Sequence, residues 1–224
     1  MSPFDLSEKR IVVTGGAGHL GRHLCQGFLD AGADVVSLSS KSVPIAGVHS
    51  IVCDLAKPDE LAEALGNHPI DGLVQCAARA PRHADLAMSG EAFLQGFETT
   101  VALYFSVMQA AIPRMPFGGA IVNVASMWGQ VAPTRDIYLG MKIDPSFAGS
   151  AAAAAIAHLG KHMAAELAGK NIRVNTLIPG WFPRKSGPDN PAYMHEITSR
   201  VPMRRIGQPQ ELVGPATFLL SPAA

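Results

Sequence analysis

The sequence predicts an α/β fold, a parallel sheet covered by helices on both faces, and three observations predict it. Short β-branched runs alternate with helical lengths almost to the end of the 224 residues. The runs are apolar throughout rather than alternating, as strands buried on both faces require. The first of them, Ile11 to Thr14, passes straight into Gly15-Gly-Ala-Gly-His-Leu-Gly21, which opens onto the helical period of Leu20, Leu24, Phe28 and Leu29.

That opening strand, turn and helix outline a phosphate-binding unit. A side chain in the turn would hold a pyrophosphate away from the backbone N–H groups, whose donors and helix dipole favour an anion. Many tight strand-to-helix turns hold no ligand, so the weight comes from position: near the N-terminus, after a strand, and ahead of a βαβ series. Further strands are expected at 33–38, 50–54 and 71–76. A long helix over about 89–115 leads into the fifth strand, 119–125. A loop over 127–147, punctuated by Pro133, Gly140 and Pro145, precedes an alanine-rich helix over about 149–169. The sixth strand is expected at 172–178, followed near the end by an apolar helix through Leu220. No repeat or linker-like stretch divides the chain, so one domain over 1–224 is expected.

Charge and composition narrow the class. Lys plus Arg total 18 and Asp plus Glu total 18, so no basic field argues for nucleic acid or an anionic membrane. Residues 1–10 lack the apolar core of a signal peptide, and no apolar run approaches the roughly 18 residues of a spanning helix. The expected location is the cytoplasm. Cys25, Cys53 and Cys76 are an odd set in apolar segments without ligand spacing, and are expected as buried reduced thiols. His158 and His162 share a helix face, but no acid lies between them and no third ligand is evident. No metal is expected.

Seven segments together resemble the short-chain dehydrogenase/reductase family in order and spacing over nearly the whole chain. They are Thr14-Gly-Gly-Ala-Gly-His-Leu-Gly21, Asp54-Leu55, Gly119-Ala-Ile-Val-Asn-Val-Ala-Ser126, Ala164-Ala-Glu-Leu-Ala168, Ile172-Arg-Val-Asn175, Pro179-Gly180 and Pro202-Met-Arg-Arg-Ile-Gly-Gln-Pro-Gln-Glu211. The resemblance implies a Rossmann-like doubly wound sheet, NAD(P) at the carboxyl ends of the strands, and hydride exchange between an alcohol and a carbonyl. It implies cofactor contacts from Gly15, Gly18, His19, Leu20 and Gly21 in the turn, from Asp54, Leu55 and Ala77, and from Pro179 and Gly180. Asp54 would accept from the adenine amino group. His19 stands where the usual spacing has a glycine, although Gly15, Gly18 and Gly21 keep the Gly-x-x-Gly-x-x-Gly arrangement of extended members. The end of the second strand carries Ser39, Ser40 and Lys41 rather than an acid. Hydroxyl and cationic partners suit a 2′-phosphate, so NADP(H) is expected over NAD(H).

In the family a Ser polarises the carbonyl, a Tyr phenol exchanges the proton, and a Lys one helical turn later lowers the phenol's pKa and holds the ribose. The Tyr needs that cation, because a phenol near pKa ~10 is a poor base at neutral pH. Ser126 matches the Ser. Tyr138-Leu-Gly-Met-Lys142 offers the pair at nearly the expected distance, yet the following helix argues otherwise. Counting back from Asn175 by the family spacing puts Ala153 at the Lys position and Gly149 at the Tyr position. Pro145 and Gly140 keep Lys142 off that helix. Tyr138 and Lys142 therefore fall in an insertion, about 127–148, of a kind that some bacterial subfamilies carry ahead of the usual Tyr and Lys. Two alternatives stay open: the insertion folds back and delivers Tyr138 and Lys142 to Ser126, or Tyr138 is a rim aromatic and Lys142 a solvated charge.

Other departures concern the same site. Thr100 stands at the position of the family's relay-supporting Asn, Gln75-Cys-Ala-Ala78 replaces an Asn-Asn-Ala-Gly-like turn, and Trp181-Phe-Pro-Arg184 lacks the Thr that meets the carboxamide. The rings of a lid over about 181–200 suggest a moderately hydrophobic small-molecule substrate. Helices over 93–115 and 150–168 resemble the family's dimer surface, so a homodimer or homotetramer is expected. The chain ends at Ser221-Pro-Ala-Ala224, ahead of the family's seventh strand, which leaves either six strands or a piece of a longer chain. The readings are an NAD(P)-dependent oxidoreductase of an alcohol or carbonyl, a catalytically degenerate nucleotide-binding or partner subunit without redox turnover, and, behind these, a non-redox isomerisation in the same pocket.

Overall fold

The computed structural model describes residues 3–78, 88–138, 146–182 and 191–224, with only the backbone of Tyr138 included. Six parallel strands make one sheet: β1 (Arg10–Thr14), β2 (Asp34–Ser39), β3 (Val48–Val52), β4 (Gly72–Gln75), β5 (Ala120–Val124) and β6 (Arg173–Leu177). Their spatial order is β3-β2-β1-β4-β5-β6, so the winding reverses between β1 and β4. This is the doubly wound Rossmann-like arrangement, whose ligand crevice lies outside the carboxyl ends of the strands at that reversal.

Both faces are covered, which is why the central strands are buried along their length and mostly apolar, with Thr14, Gln75 and Asn123 the buried polar residues among β1, β4 and β5. On one face α1 (Gly21–Asp30) and α7 (Val213–Leu220) bury Leu24, Cys25, Phe28, Ala216 and Leu220 against Ile11, Val13, Val74 and Val122. On the other, α2 (Pro58–Leu65), α4 (Leu103–Ala111) and α5 (Phe147–Leu167) bury Leu61, Leu65, Val107, Met108, Met163 and Leu167 against Val12, Val36, Leu73 and Ile121. Burial of that apolar area, at about 25 cal/mol per Å2, is the main stabilising term for such a sheet.

All strands but the third fall within one residue of the sequence expectation, and three elements differ by more. The third strand lies two residues earlier than 50–54, because Asp54 belongs to the turn before α2: its N–H donates to Glu60 Oε2 at 2.8 Å and its Oδ1 accepts from Ala56 N–H at 3.1 Å. The alanine-rich helix starts at Phe147 rather than 149, with Ser146 as its cap, Oγ accepting from Gly149 N–H at 3.0 Å. The long helix over 89–115 is one run in pieces: α3 (Gly90–Phe97), a π turn (Glu98–Ala102), α4, and a 3-10 turn (Ile112–Arg114). The π turn brings Thr100 to a buried position, its hydroxyl without a partner among the described residues.

Cys25 and Cys53 are buried, Cys76 is partly so, and all three are free thiols. The Arg173 guanidinium donates to the Leu219 and Ser221 carbonyls at 2.7 and 3.1 Å, tying β6 to the end of α7. Among the described residues no helix is long and apolar enough to cross a membrane, and no group of three His, Cys, Asp or Glu is placed to hold a metal ion.

Candidate functional site

The glycine turn is shaped by contacts that exclude side chains. Gly15 has φ +69, its N–H donates to Leu38 O at 2.8 Å, and its own carbonyl accepts from Gly18 N–H at 2.8 Å. A Cβ on Gly15 would stand 2.8 Å from Ala77 Cα, and one on Gly21 would stand 2.2 Å from Gly15 O. The turn is therefore pressed between the loop after β4 and the start of α1. Leu20 opens α1 without a side-chain cap, so its first N–H groups are not taken by a neighbouring side chain. Gly18, His19 and Leu20 are partly exposed there, and the His19 ring meets His23 edge-on at 6.5 Å.

Beside the turn, the end of β2 supplies a hydroxyl with a defined direction. Ser39 Oγ accepts from Ala17 N–H at 3.2 Å, a bond that does not use its proton. Ser40 and Lys41 follow, both exposed. Asp54 is exposed with one carboxylate oxygen bonded to its own turn, Leu55 is buried below it, and Ala77 is partly buried. The glycine turn, the Asp54 carboxylate, the Ser39 and Ser40 hydroxyls and the Lys41 ammonium are the kinds of group that could hold a dinucleotide's diphosphate, base and ribose.

Ser126 follows the end of β5 and caps the 3-10 turn Met127–Gly129, its Oγ accepting from Trp128 N–H at 3.2 Å. That bond uses the oxygen as acceptor and does not use its proton. Met127 N–H donates to Pro179 O at 3.2 Å, joining this loop to the one that carries Pro179 and Gly180 after β6. A Cβ on Gly180 would meet open space. Gly129 lies directly on α5, where Ala153 is buried, and Gly149 is one helical turn earlier.

The backbone of Tyr138 ends a 3-10 turn, Arg135–Tyr138, and Lys142 lies outside the described residues, as do the rest of 139–145 and 183–190 of the lid. The described part of the insertion is tied to α6 (Pro191–Arg200). Ile137 packs with Tyr193 and Ile197, against Trp128, Trp181, Met194 and Ile206. Trp181 meets Trp128 edge-on at 5.8 Å and Tyr193 at 6.0 Å. Arg200 donates to Glu196, to Thr134 Oγ1 at 3.2 Å and to Asp136. Hydrogen bonds from Thr134 and then Arg200 hold the Asp136 carboxyl below its ordinary range.

One polar group near the site escaped the sequence reading. Tyr104 of α4 is buried, with its phenol oxygen 2.9 Å from Gln75 O and 2.8 Å from Val124 O. Burial holds the phenol well above its ordinary pKa, so it is a neutral donor. Beside it Gln75 Nε2 donates to Asn123 Oδ1 at 3.0 Å across β4 and β5. The available signal was a polar-tipped ring on a helix face otherwise made of Val107, Met108 and Ala111.

Comparison with known proteins bears on this arrangement. A family model described as enoyl-(acyl carrier protein) reductase matches residues 17–224. The chain is 31% identical to 7alpha-hydroxysteroid dehydrogenase of Escherichia coli (strain K12) over 242 aligned positions, covering 98% of this chain and 89% of that enzyme. Its fold matches a short-chain dehydrogenase from Leptospira borgpetersenii with bound NAD+ at TM-score 0.87 and 23% identity, covering 98% of this chain and 88% of that one. It matches a gluconate 5-dehydrogenase from Burkholderia cenocepacia in complex with NADP and tartrate at TM-score 0.85 and 26% identity, covering 99% and 91%. With a doubly wound sheet, a glycine turn ahead of α1 and Ser126 beyond β5, the chain belongs to the short-chain dehydrogenase/reductase family and has the fold of its NAD(P)-dependent oxidoreductases.

Proposed function

We propose that this chain binds NADP(H) in preference to NAD(H), and that the Tyr and Lys of the family's proton transfer are replaced by Gly149 and Ala153. The observation that carries the second part is the contact between Gly129 and Ala153, which holds the turn capped by Ser126 against α5 at the residue where the family count puts the ammonium. An alanine methyl there can neither hold a ribose nor lower a phenol's pKa. The preference for NADP(H) rests on Ser39, Ser40 and Lys41, where no carboxylate opposes a 2′-phosphate and the Ser39 hydroxyl has its proton to give.

When bound, the nicotinamide supplies the hydride. The chain's own part is to orient the nucleotide through Gly15, Gly18, His19, Leu20, Gly21, Asp54, Leu55, Ala77, Pro179 and Gly180, and to polarise an alcohol or carbonyl oxygen through the Ser126 hydroxyl. On this reading α5 offers neither phenol nor amine at Gly149 and Ala153, so no side chain there passes the substrate proton, and turnover is low or absent. The acting form is then a nucleotide-binding or partner subunit. The half-buried rings of Trp128 and Trp181 beyond β5 and β6 support a moderately hydrophobic ligand. The balanced charge supports cytoplasmic placement without nucleic-acid or membrane partners, and α4 and α5 support a homodimer or homotetramer.

A second reading keeps the oxidoreductase activity with Tyr138 and Lys142 as the pair. It is favoured by the packing of Ile137, next to Tyr138, in the cluster that includes Trp128, two residues from Ser126. Titration of the coenzyme's fluorescence with protein, followed by NADPH oxidation over a panel of carbonyl compounds, separates the readings. The expected results are several-fold tighter NADPH than NADH, trace turnover, and turnover gained in Gly149→Tyr/Ala153→Lys. Robust wild-type turnover that collapses in Tyr138→Phe establishes the second reading instead. Product formed without coenzyme consumption points to isomerisation.

A further inference from the structure

Tyr104 stands where the carboxyl ends of two strands part. β4 and β5 stay paired through Gln75 and Asn123; beyond that, one chain turns to Cys76 and Ala77 while the other runs through Val124 to Ser126. The phenol oxygen lies 2.9 Å from Gln75 O and 2.8 Å from Val124 O, and the residue is 1% exposed. One O–H proton serves one carbonyl at a time, so the hydroxyl is a shared tether between the two strand ends.

Each tethered carbonyl is two residues from a part of the site. Ala77, two beyond Gln75, touches the glycine turn so closely that a Cβ on Gly15 would stand 2.8 Å from its Cα. Ser126, two beyond Val124, caps the turn that rests on α5. The Gln75–Asn123 amide pair fixes the last paired step of the ladder but reaches neither loop. Among the described residues the Tyr104 hydroxyl is the bond that spans both strands beyond it, in an interior where a lost hydrogen bond leaves two buried carbonyls to be satisfied otherwise.

We propose that Tyr104 is a positioning residue for this site, setting the separation between the Gly15–Ala77 side that takes the nucleotide and the Ser126 side that takes the substrate. The proposal rests on the NADP(H)-binding reading above. It acts through Gln75 and Val124 and touches no ligand.

Tyr104→Phe removes the hydroxyl and keeps the ring. Val107→Ala, on the same helix and 1% exposed, removes core packing without touching either strand-end carbonyl. NADPH dissociation constants are measured by fluorescence for the full chain and both variants, well below each variant's Tm, with far-UV circular dichroism and thermal melts alongside. The expected result is an NADPH Kd raised about five- to tenfold in Tyr104→Phe, the size of one hydrogen bond. Val107→Ala melts lower yet keeps its Kd within about twofold, because its effect lies on overall stability. An unchanged Kd in Tyr104→Phe, or the same loss in both variants, overturns the positioning role while leaving the nucleotide reading intact. Failure of the unsubstituted chain to bind NADPH overturns both, and is seen before any variant is made.

Discussion

Gly129 rests on Ala153: a Cβ on Gly129 would stand 3.0 Å from the Ala153 Cβ and 2.5 Å from the Ala154 amide nitrogen. Contacts this short are to backbone and to a methyl that has no other rotamer, so the turn itself would have to rise off α5. Ser126 begins that turn, and its hydroxyl is oriented by it. The position of Ser126 relative to α5 is thus set by one missing methyl group.

Gly129→Ala should therefore destabilise the fold by about 2 kcal/mol, within the range seen for overpacking at sites that cannot relax. Urea unfolding of the variant reads this directly. An unchanged midpoint would mean that the turn moves freely and does not fix Ser126.

How much of this was legible in the sequence follows from the kind of residue involved. The central strands were plain because Ile11 to Val13, Leu73 to Val74 and Ile121 to Val122 are buried on both faces and read as short apolar runs. The edge strand β3 was placed two residues late because it is only half buried, and its alternation gave weak limits. Gly149 and Ala153 were read by counting back from Asn175, and the structure draws one helix from Phe147 to Leu167 through both. Tyr104 was not found, since a ring on an apolar helix face looks like core until the carbonyls it meets are known. The direction of the Ser39 hydroxyl was equally hidden, because its partner is the amide of Ala17 in another loop. Side-chain bonds across elements depend on the packing of the sheet, and no local period announces them.

Gly160 poses the same steric question inside the second half of α5. A Cβ there would stand 2.6 Å from Thr176 Oγ1 and 3.3 Å from Asn123 Nδ2. Gly160→Ala should lower stability by about 1–3 kcal/mol despite the better helix propensity of alanine. Thr176→Ala removes the obstructing oxygen, so the double variant Gly160→Ala/Thr176→Ala should recover part of the loss. A double-mutant cycle measures the coupling, and additive effects would show that the helix shifts rather than meeting β6.

Acid unfolding should report on the end of the chain ahead of α7. Hydrogen bonds from Arg205, and then from the Gln208 N–H, hold the Glu211 carboxyl down to about 2 from its ordinary 4.5. The pKa is lower in the folded state, so the contribution is fully present above the unfolded value and is lost as pH falls from 4.5 toward 2. The group is exposed and screened by solvent, which keeps the effect small. Glu211→Gln should be less stable than the parent above pH 4.5, and the difference should shrink to nothing as pH approaches 2. A difference that is constant with pH would show that the capping geometry matters and the charge does not.

Two of the thiols flank the glycine turn. Cys25 lies beneath Gly16, where an added Cβ would come within 2.9 Å of its Sγ, and Cys76 precedes the Ala77 that touches Gly15. Burial pushes both thiols up to about 12, and burial also raises Cys53. At pH 8 essentially no thiolate exists at Cys25 or Cys76, and thiolate is the form that attacks a disulfide reagent. Ellman's reagent should accordingly find these two cysteines silent in the native protein at pH 8, with all three reacting once denaturant opens the sheet. Because Cys25 lies against Gly16 and Cys76 borders the Ala77 that meets Gly15, NADPH held on the turn should slow their modification under mild denaturant. Rapid native-state labelling of either one, unaffected by nucleotide, would show that the turn opens independently of the site it forms.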